Sequence, residues 1–166
     1  NIFNNQLINY ADMTREMFKK FNGYPQELEN LTLFSDEKLT KEETEIFNKA
    51  YRKVRNKTYM KNCFLNSLQL SMADTTNTIK VVEGYAFKYI PMEHGWNIIN
   101  GKLIDITFNI SDGEKPYLGT FPEDVAYYGH IFNDLDLKEW YKFAKKYDEF
   151  SILGGIGREF LETYSK

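Results

Sequence analysis

Apolar residues recur at helical spacing in the first third of the chain and change to an alternating pattern near residue 79. Leu7, Tyr10, Met13 or Thr14, Met17, Phe18 and Phe21 mark one face of a helix over 6–21, and Gly23 supplies its stop. Pro25 then opens an expected loop through Leu33 and Phe34. The next helix has a stronger start signal. Thr40 with Glu43 three residues later forms a capping box, and Phe47, Tyr51 and Val54 follow on one face to an end near Asn56. A third helix is expected over 61–72, with Phe64, Leu65, Leu68 and Met72 inward, closed by a polar turn at 74–77.

Residues 79–89 alternate loosely and are rich in Val, Tyr and Phe, which marks a strand. Residues 94–100 end in Asn100-Gly101, a hairpin signal that makes 102–108 the partner strand. Turn residues dominate 111–122, predicting a surface loop, and 123–132 reads as a short helix followed by a turn at Gly129. Asp136 caps a helix over 137–150 with Leu137, Trp140, Tyr141, Ala144 and Tyr147 or Asp148 on its packed side. A glycine-rich turn at 151–157 precedes a closing helix at 158–164. Helices followed by adjacent antiparallel strands predict an α+β domain.

Composition narrows the class. At 166 residues, 42% apolar and 27% charged, the chain has the size and balance of one globular domain. No run approaches the roughly 18 apolar residues of a membrane span, and the first residues form no secretory signal. The expectation is a protein of the cytoplasm that binds no membrane. The chain begins at Asn1 rather than Met, which points to removal of something upstream. A net charge of −3 argues against general nucleic-acid binding, which needs a basic face. One cysteine excludes an internal disulfide and a Cys-rich zinc module.

Three residues carry the candidate chemistry. Cys63 lies near the start of the third helix, His94 opens the first arm of the hairpin, and Asp105 lies on the second. A thiol ionises more readily at a helix N-terminus beside an imidazolium, and the imidazole in turn needs a carboxylate to hold its tautomer and orientation. With a two-residue turn, Ile99 pairs with Lys102 and His94 falls opposite Thr107. Asp105 is then the diagonal neighbour of His94 on the same sheet face, about 7–8 Å away at the backbone. Spacing alone leaves the ordinary reading open, because a lone cysteine is most often a buried core thiol.

The segments Asn62-Cys63-Phe64-x-Asn66, Val82-Glu83-Gly84-Tyr85-Ala86, Pro91-x-x-His94-Gly95-Trp96, Asp105-x-Thr107 and Tyr128-Gly129-x-x-Phe132 occur in that order. Their order resembles the transglutaminase-like branch of the papain-like fold, and is similar to small proteins of phages and bacteria over about residues 60–133. The resemblance implies a single transglutaminase-like domain, with a core at about 58–133 and helical flanks at 1–57 and 134–166. It implies that Cys63 is the nucleophile, His94 the base and Asp105 the orienting acid. Gly95 departs from the alanine that usually follows the histidine. The short Cys63–His94 interval implies a reduced core. No residue matches the family's oxyanion glutamine, so the candidates are the Cys63 backbone N–H with Asn62, Asn66 or Tyr59.

Further cleft candidates are Glu83 and Tyr85 on a strand lining the site, Trp96 as core or pocket wall, and Tyr128-Gly129 as a loop over the cleft. His130 reads as a surface residue, and Gly154 to Gly157 lacks the Lys-Ser/Thr of a phosphate loop. No ligand spacing predicts a metal, and no cofactor is expected. Arg52, Lys53, Arg55, Lys57 and Lys61 form a basic stretch, either a solvated helix face or an anion-facing rim beside Cys63. The resulting expectation is a cysteine-dependent hydrolase or acyltransferase acting on an amide, isopeptide or thioester bond. Its substrate would be a peptide, protein or small acyl compound, with a host protein among the targets. The competing expectation is a non-catalytic module that uses the same cleft to hold a nucleotide-type ligand or a host protein.

Overall fold

Thr40 begins the first ordered helix in the way its side chain dictates. Its hydroxyl accepts from the Glu43 N–H at 3.2 Å, and the Glu43 carboxylate accepts from the Thr40 N–H at 2.9 Å. Helix α1 then runs Lys41–Val54 and tightens into a 3-10 turn at Arg55–Lys57. The structure, a computed structural model, describes residues 32–33, 37–87, 91–108, 115–120 and 125–164. The helix expected at 6–21 lies outside the described residues.

Helix α2 spans Cys63–Ala73, α3 Leu137–Lys145 and α4 Gly155–Tyr164. The strands are β1 (Thr32–Leu33), β2 (Ile79–Phe87), β3 (Pro91–Ile99), β4 (Lys102–Asp105), β5 (Tyr117–Leu118) and β6 (Ala126–Phe132). They form one antiparallel sheet in the order β1-β6-β2-β3-β4-β5. The α+β class expected from the sequence is the class of the structure.

Several expected elements need correction, among them the hairpin's partner strand over 102–108, which ends at Asp105 where the Asx turn begins. Residues 126–132 are a strand rather than a helix and a turn, because β2 bonds them along one side and β1 bonds Tyr128 and Gly129 on the other. Residues 32–33 and 117–118 are short edge strands inside stretches expected to be loops. The helix expected over 137–150 ends at Lys145, so Tyr147 and Asp148 lie beyond it and are exposed rather than packed, and the closing helix starts at Gly155, three residues early.

Alternation along the strands fills both faces of the sheet. One face carries Val82, Ala86, Trp96, Ile98, Leu103 and Tyr127 as a buried cluster. The other is covered by helices. Phe47, Ala50, Val54 and Leu70 pack on Ile79, Ile99 and Ile104, while Trp140, Ala144 and Phe160 pack with Leu68 on Val81 and Phe132. Burying side chains of this kind contributes roughly 1.5–3 kcal/mol each.

Three glycines set distances that matter for the site. A Cβ on Gly95 would lie 2.9 Å from the Phe64 ring and 3.2 Å from its Cα, so glycine is what lets α2 lie this close to β3. Gly84 and Gly129 face each other across β2 and β6, with His94 on the far side of Gly84. The Trp96 indole fills the space over Gly129, where a Cβ would come within 2.5 Å of Cη2.

Gly129→Ala and Gly84→Ala should each destabilise the fold by about 1–3 kcal/mol, the usual cost of overpacking a filled core. Gly84 should be the worse, because a Cβ there meets the Tyr128 carbonyl rather than a movable side chain. Urea unfolding midpoints give the check.

Candidate active site

The turn before Cys63 is braced from inside the fold. Asn66 Oδ1 accepts from the Tyr59 N–H at 3.3 Å, and Asn66 Nδ2 donates to the Tyr59 carbonyl at 2.8 Å and to Thr107 Oγ1 at 2.9 Å. One buried amide therefore fixes the loop preceding α2 and ties the helix to the end of β4. Lys61 takes a left-handed conformation (φ 68°) as the chain turns in. Asn62 holds the N-cap position, but its side chain makes no capping bond. The first helical bond runs from Asn66 N–H to the Asn62 carbonyl at 2.8 Å, so the N–H groups of Cys63, Phe64 and Leu65 precede the intrahelical ladder.

The β3–β4 ladder runs from Ile99↔Lys102 to Asn97↔Ile104, the register expected from the Asn100-Gly101 turn. Beyond it, His94 and Asp105 meet as diagonal neighbours. His94 Nε2 lies 2.7 Å from Asp105 Oδ2. The Cys63 side chain acts on the imidazole as well, and helps to keep its proton. With Nε2 held by the carboxylate, Nδ1 is the ring nitrogen that remains for the sulfur. The histidine and aspartate singled out from the sequence are thus hydrogen-bonded, with the Cys63 thiol acting on the same ring. They are nearly closed off, with 9% of Cys63, 6% of His94 and none of Asp105 exposed.

Asp105 is saturated with donors. Besides His94, Oδ2 accepts from the Tyr127 hydroxyl at 2.8 Å, and Oδ1 accepts from the N–H groups of Thr107 and Phe108 at 2.9 and 3.1 Å. The Asp-x-Thr motif is therefore an Asx turn, with the aspartate side chain capping its own loop. Aromatic rings hold the imidazole on its other sides. Trp96 stacks on it at 5.8 Å and 18°, and Phe108 meets it edge-on at 5.6 Å.

Burial opposes charge on both His94 and Asp105, but their mutual attraction and hydrogen bond outweigh it. The imidazolium is held up to about 10, helped by the thiol, and the carboxyl is held below its ordinary value. Burial and the Asp105 charge push the Tyr127 phenol well above its ordinary range, so it stays a donor.

Tyr127, Phe108 and the Thr107 hydroxyl were not singled out as functional from the sequence. Tyr127 was hidden by the misread of 123–132. The run Ala-Tyr-Tyr-Gly-His-Ile-Phe at 126–132 is rich in strand-forming residues, and weighting it would have exposed the tyrosine.

The remaining candidates fall elsewhere. Asn66 spends its amide on Tyr59 and Thr107, which leaves it a brace rather than a ligand for substrate. Asn62 and Tyr59 are exposed at the entrance to α2. Trp96 is core and lies against His94. Tyr128 is a half-buried strand residue between Leu33 and Tyr85, not part of a loop. Glu83 and Tyr85 line a small cavity of about 60 Å³ with Phe64, Glu93, Ser151 and Leu153. There Glu83 grips the turn before α4, accepting from Ile152 N–H at 2.8 Å, Leu153 N–H at 3.1 Å and the Ser151 hydroxyl at 3.0 Å. Burial raises its carboxyl to about 7 against those bonds.

No protein-family model, curated protein or solved structure matches the chain. No helix among the described residues is long and apolar enough to cross a membrane.

The pair has a pH signature. The His94 contribution to stability is complete below about pH 6.5 and lost as pH rises through about 10. The Asp105 contribution is complete above its ordinary 3.8 and lost as pH falls through its lowered value. The chain has only two histidines, so ring nitrogen NMR shifts separate them readily. His94 should keep its imidazolium shift through pH 8, and Asp105→Asn should bring its titration down. A wild-type ring that titrates near 6.5 would contradict the pairing.

Proposed function

We propose that this chain is a cysteine-dependent hydrolase or acyltransferase of the transglutaminase-like, papain-like kind, acting on an amide, isopeptide or thioester bond. The observation that carries the reading is the imidazole of His94, set between the Asp105 carboxylate at 2.7 Å and the Cys63 thiol at the start of α2. The order of a helix-borne cysteine, a strand-borne histidine and an aspartate on the next strand supports it, as does the motif resemblance.

In this mechanism the Cys63 thiolate attacks the acyl carbon and forms a C–S bond, while the carbonyl oxygen takes up negative charge. The Cys63 N–H and the exposed Asn62 amide are the donors proposed for that oxyanion, helped by the positive end of α2. His94 holds its proton at neutral pH, so it stands ready to donate it from Nδ1 to the departing amine or thiol. The C–N or C–S bond of the substrate then breaks, leaving the acyl group on Cys63. In the second half-reaction His94 takes a proton from water or from an incoming amine. The nucleophile displaces the sulfur, and the thiolate–imidazolium pair is restored. Asp105 holds the ring in place throughout and stays ionised. The resemblance to small phage and bacterial proteins extends the proposal to a target inside a bacterial host cell, where a lone thiol stays reduced.

A panel of small peptidyl amides and thioesters, read by intact-protein mass spectrometry, tests it. The wild type should gain an acyl mass on Cys63 that water or an added amine removes, and the effective acceptor decides hydrolase or transferase. Cys63→Ala and His94→Ala should gain none. Asp105→Asn should acylate about 10²–10⁴-fold more slowly, because it loosens the orientation without removing a reacting atom. Identical masses for wild type and Cys63→Ala, both folded by circular dichroism, would refute the reading.

A further inference from the structure

The closure of the triad raises the question of where a substrate is recognised. With 9% of Cys63 exposed, little of the reacting group itself can select a partner. The rim can. From Ile46 to Ala73 the chain carries six Lys or Arg residues and no Asp or Glu, although its net charge is −3. Three of those cations, Arg55, Lys57 and Lys61, are exposed in the turn and loop that lead directly into Cys63. Two large apolar side chains lie between them, Tyr59 at 61% and Met60 at 51% exposure. Met92, 39% exposed, lies on β3 two residues before His94 and on the same face. Three of the four large apolar side chains exposed among the described residues thus lie within four positions of Cys63 or His94 along the chain.

This loop is built rather than loose. Its backbone is pinned at Tyr59 by both ends of the buried Asn66 amide, and Asn62 N–H closes it on the Tyr59 carbonyl at 3.3 Å. A rigid strip of interleaved cations and adaptable apolar groups loses little conformational freedom when a partner docks. We propose that the strip from Arg55 to Lys61, with Met92, is the docking surface for an acidic peptide segment of a protein substrate, which it presents to Cys63. Carboxylates of the segment would meet the three cations, and an apolar side chain between them would rest on Tyr59, Met60 and Met92. A protein partner is favoured over a nucleic acid because the chemistry at Cys63 consumes an acyl group and the rest of the chain is anionic. The inference rests on the reading of Cys63 as an acyl-accepting nucleophile.

The test separates docking from chemistry. The Cys63→Ala protein is titrated, with anisotropy as the readout, into fluorescein-labelled peptides of repeating Glu-Glu-Leu, Gln-Gln-Leu and Lys-Lys-Leu. The acidic peptide should bind at least about tenfold more tightly than the other two, and salt should weaken it as exposed charges are screened. Arg55→Glu with Lys57→Glu should abolish that preference, and Met60→Ser should weaken binding without altering it. In an otherwise wild-type chain, acylation of Cys63 by a small thioester should be unchanged by the two reversals. Equal affinity for the three peptides would overturn the docking surface, whatever the acylation result. Tighter binding of labelled oligo(dT) or tRNA, lost in the same reversals, would overturn it in favour of a nucleic-acid partner. Loss of small-thioester acylation in the wild type itself would fault the catalytic reading and leave the anisotropy result to judge the strip.

Discussion

A carboxylate with no exposed surface has to be surrounded by donors, and Asp105 draws its four from three parts of the sheet. His94 comes from β3, Tyr127 from β6, and the Thr107 and Phe108 amides from the loop after β4. An ionised group left unpaired at this depth would cost several kcal/mol, so the arrangement is close to all-or-none. Anything that pulls one donor away exposes the others to the same penalty. The order of the strands β6, β2, β3, β4 therefore decides more than topology, because only this order sets Tyr127 and His94 on one carboxylate oxygen.

The helix that carries Cys63 is fixed to this centre by polar groups rather than by apolar packing alone. Asn66 reaches Thr107, and Asn97 Nδ2 donates to the Ser67 carbonyl at 2.8 Å and to Ser71 Oγ at 3.1 Å. Gly95 removes the side chain that would hold the helix off the strand. Directional bonds of this kind set position along and around the helix, which non-directional apolar contact does not. Cys63 is placed by a lattice of buried amides. The other end of the hairpin is fixed in a similar way, since the Glu43 carboxylate that closes the α1 capping box also accepts from Lys102 at 2.6 Å and Asn100 at 3.1 Å.

Charge is divided between the two sides of the start of α2. The basic loop lies on the approach to Cys63, whereas the cavity next to Phe64 holds Glu83 and Glu93. Glu83 is held by the turn that opens α4, so its buried carboxyl serves to dock the C-terminal helix on the central strand.

Local rules determined much of this protein. The Thr40–Glu43 capping box, the helix over Phe47 to Val54, and the Asn100-Gly101 turn with its register all follow from short-range chemistry, and each is present. That register alone brought His94 and Asp105 together, because a two-residue turn leaves no freedom in which residues face each other. The contact of Cys63 with His94, the role of Tyr127 and the strand at 126–132 were not legible in the same way. A strand bonded on both sides is selected by its neighbours, and Gly129 reads as a turn until the Trp96 indole that occupies its space is known. Asn66 and Glu83 likewise read as cleft residues until the partners that saturate them are in view. Sequence patterns report what each residue prefers within a few positions. Burial and the pairing of polar groups across 20 to 70 positions belong to the tertiary structure, because only the folded chain decides which groups lose water together.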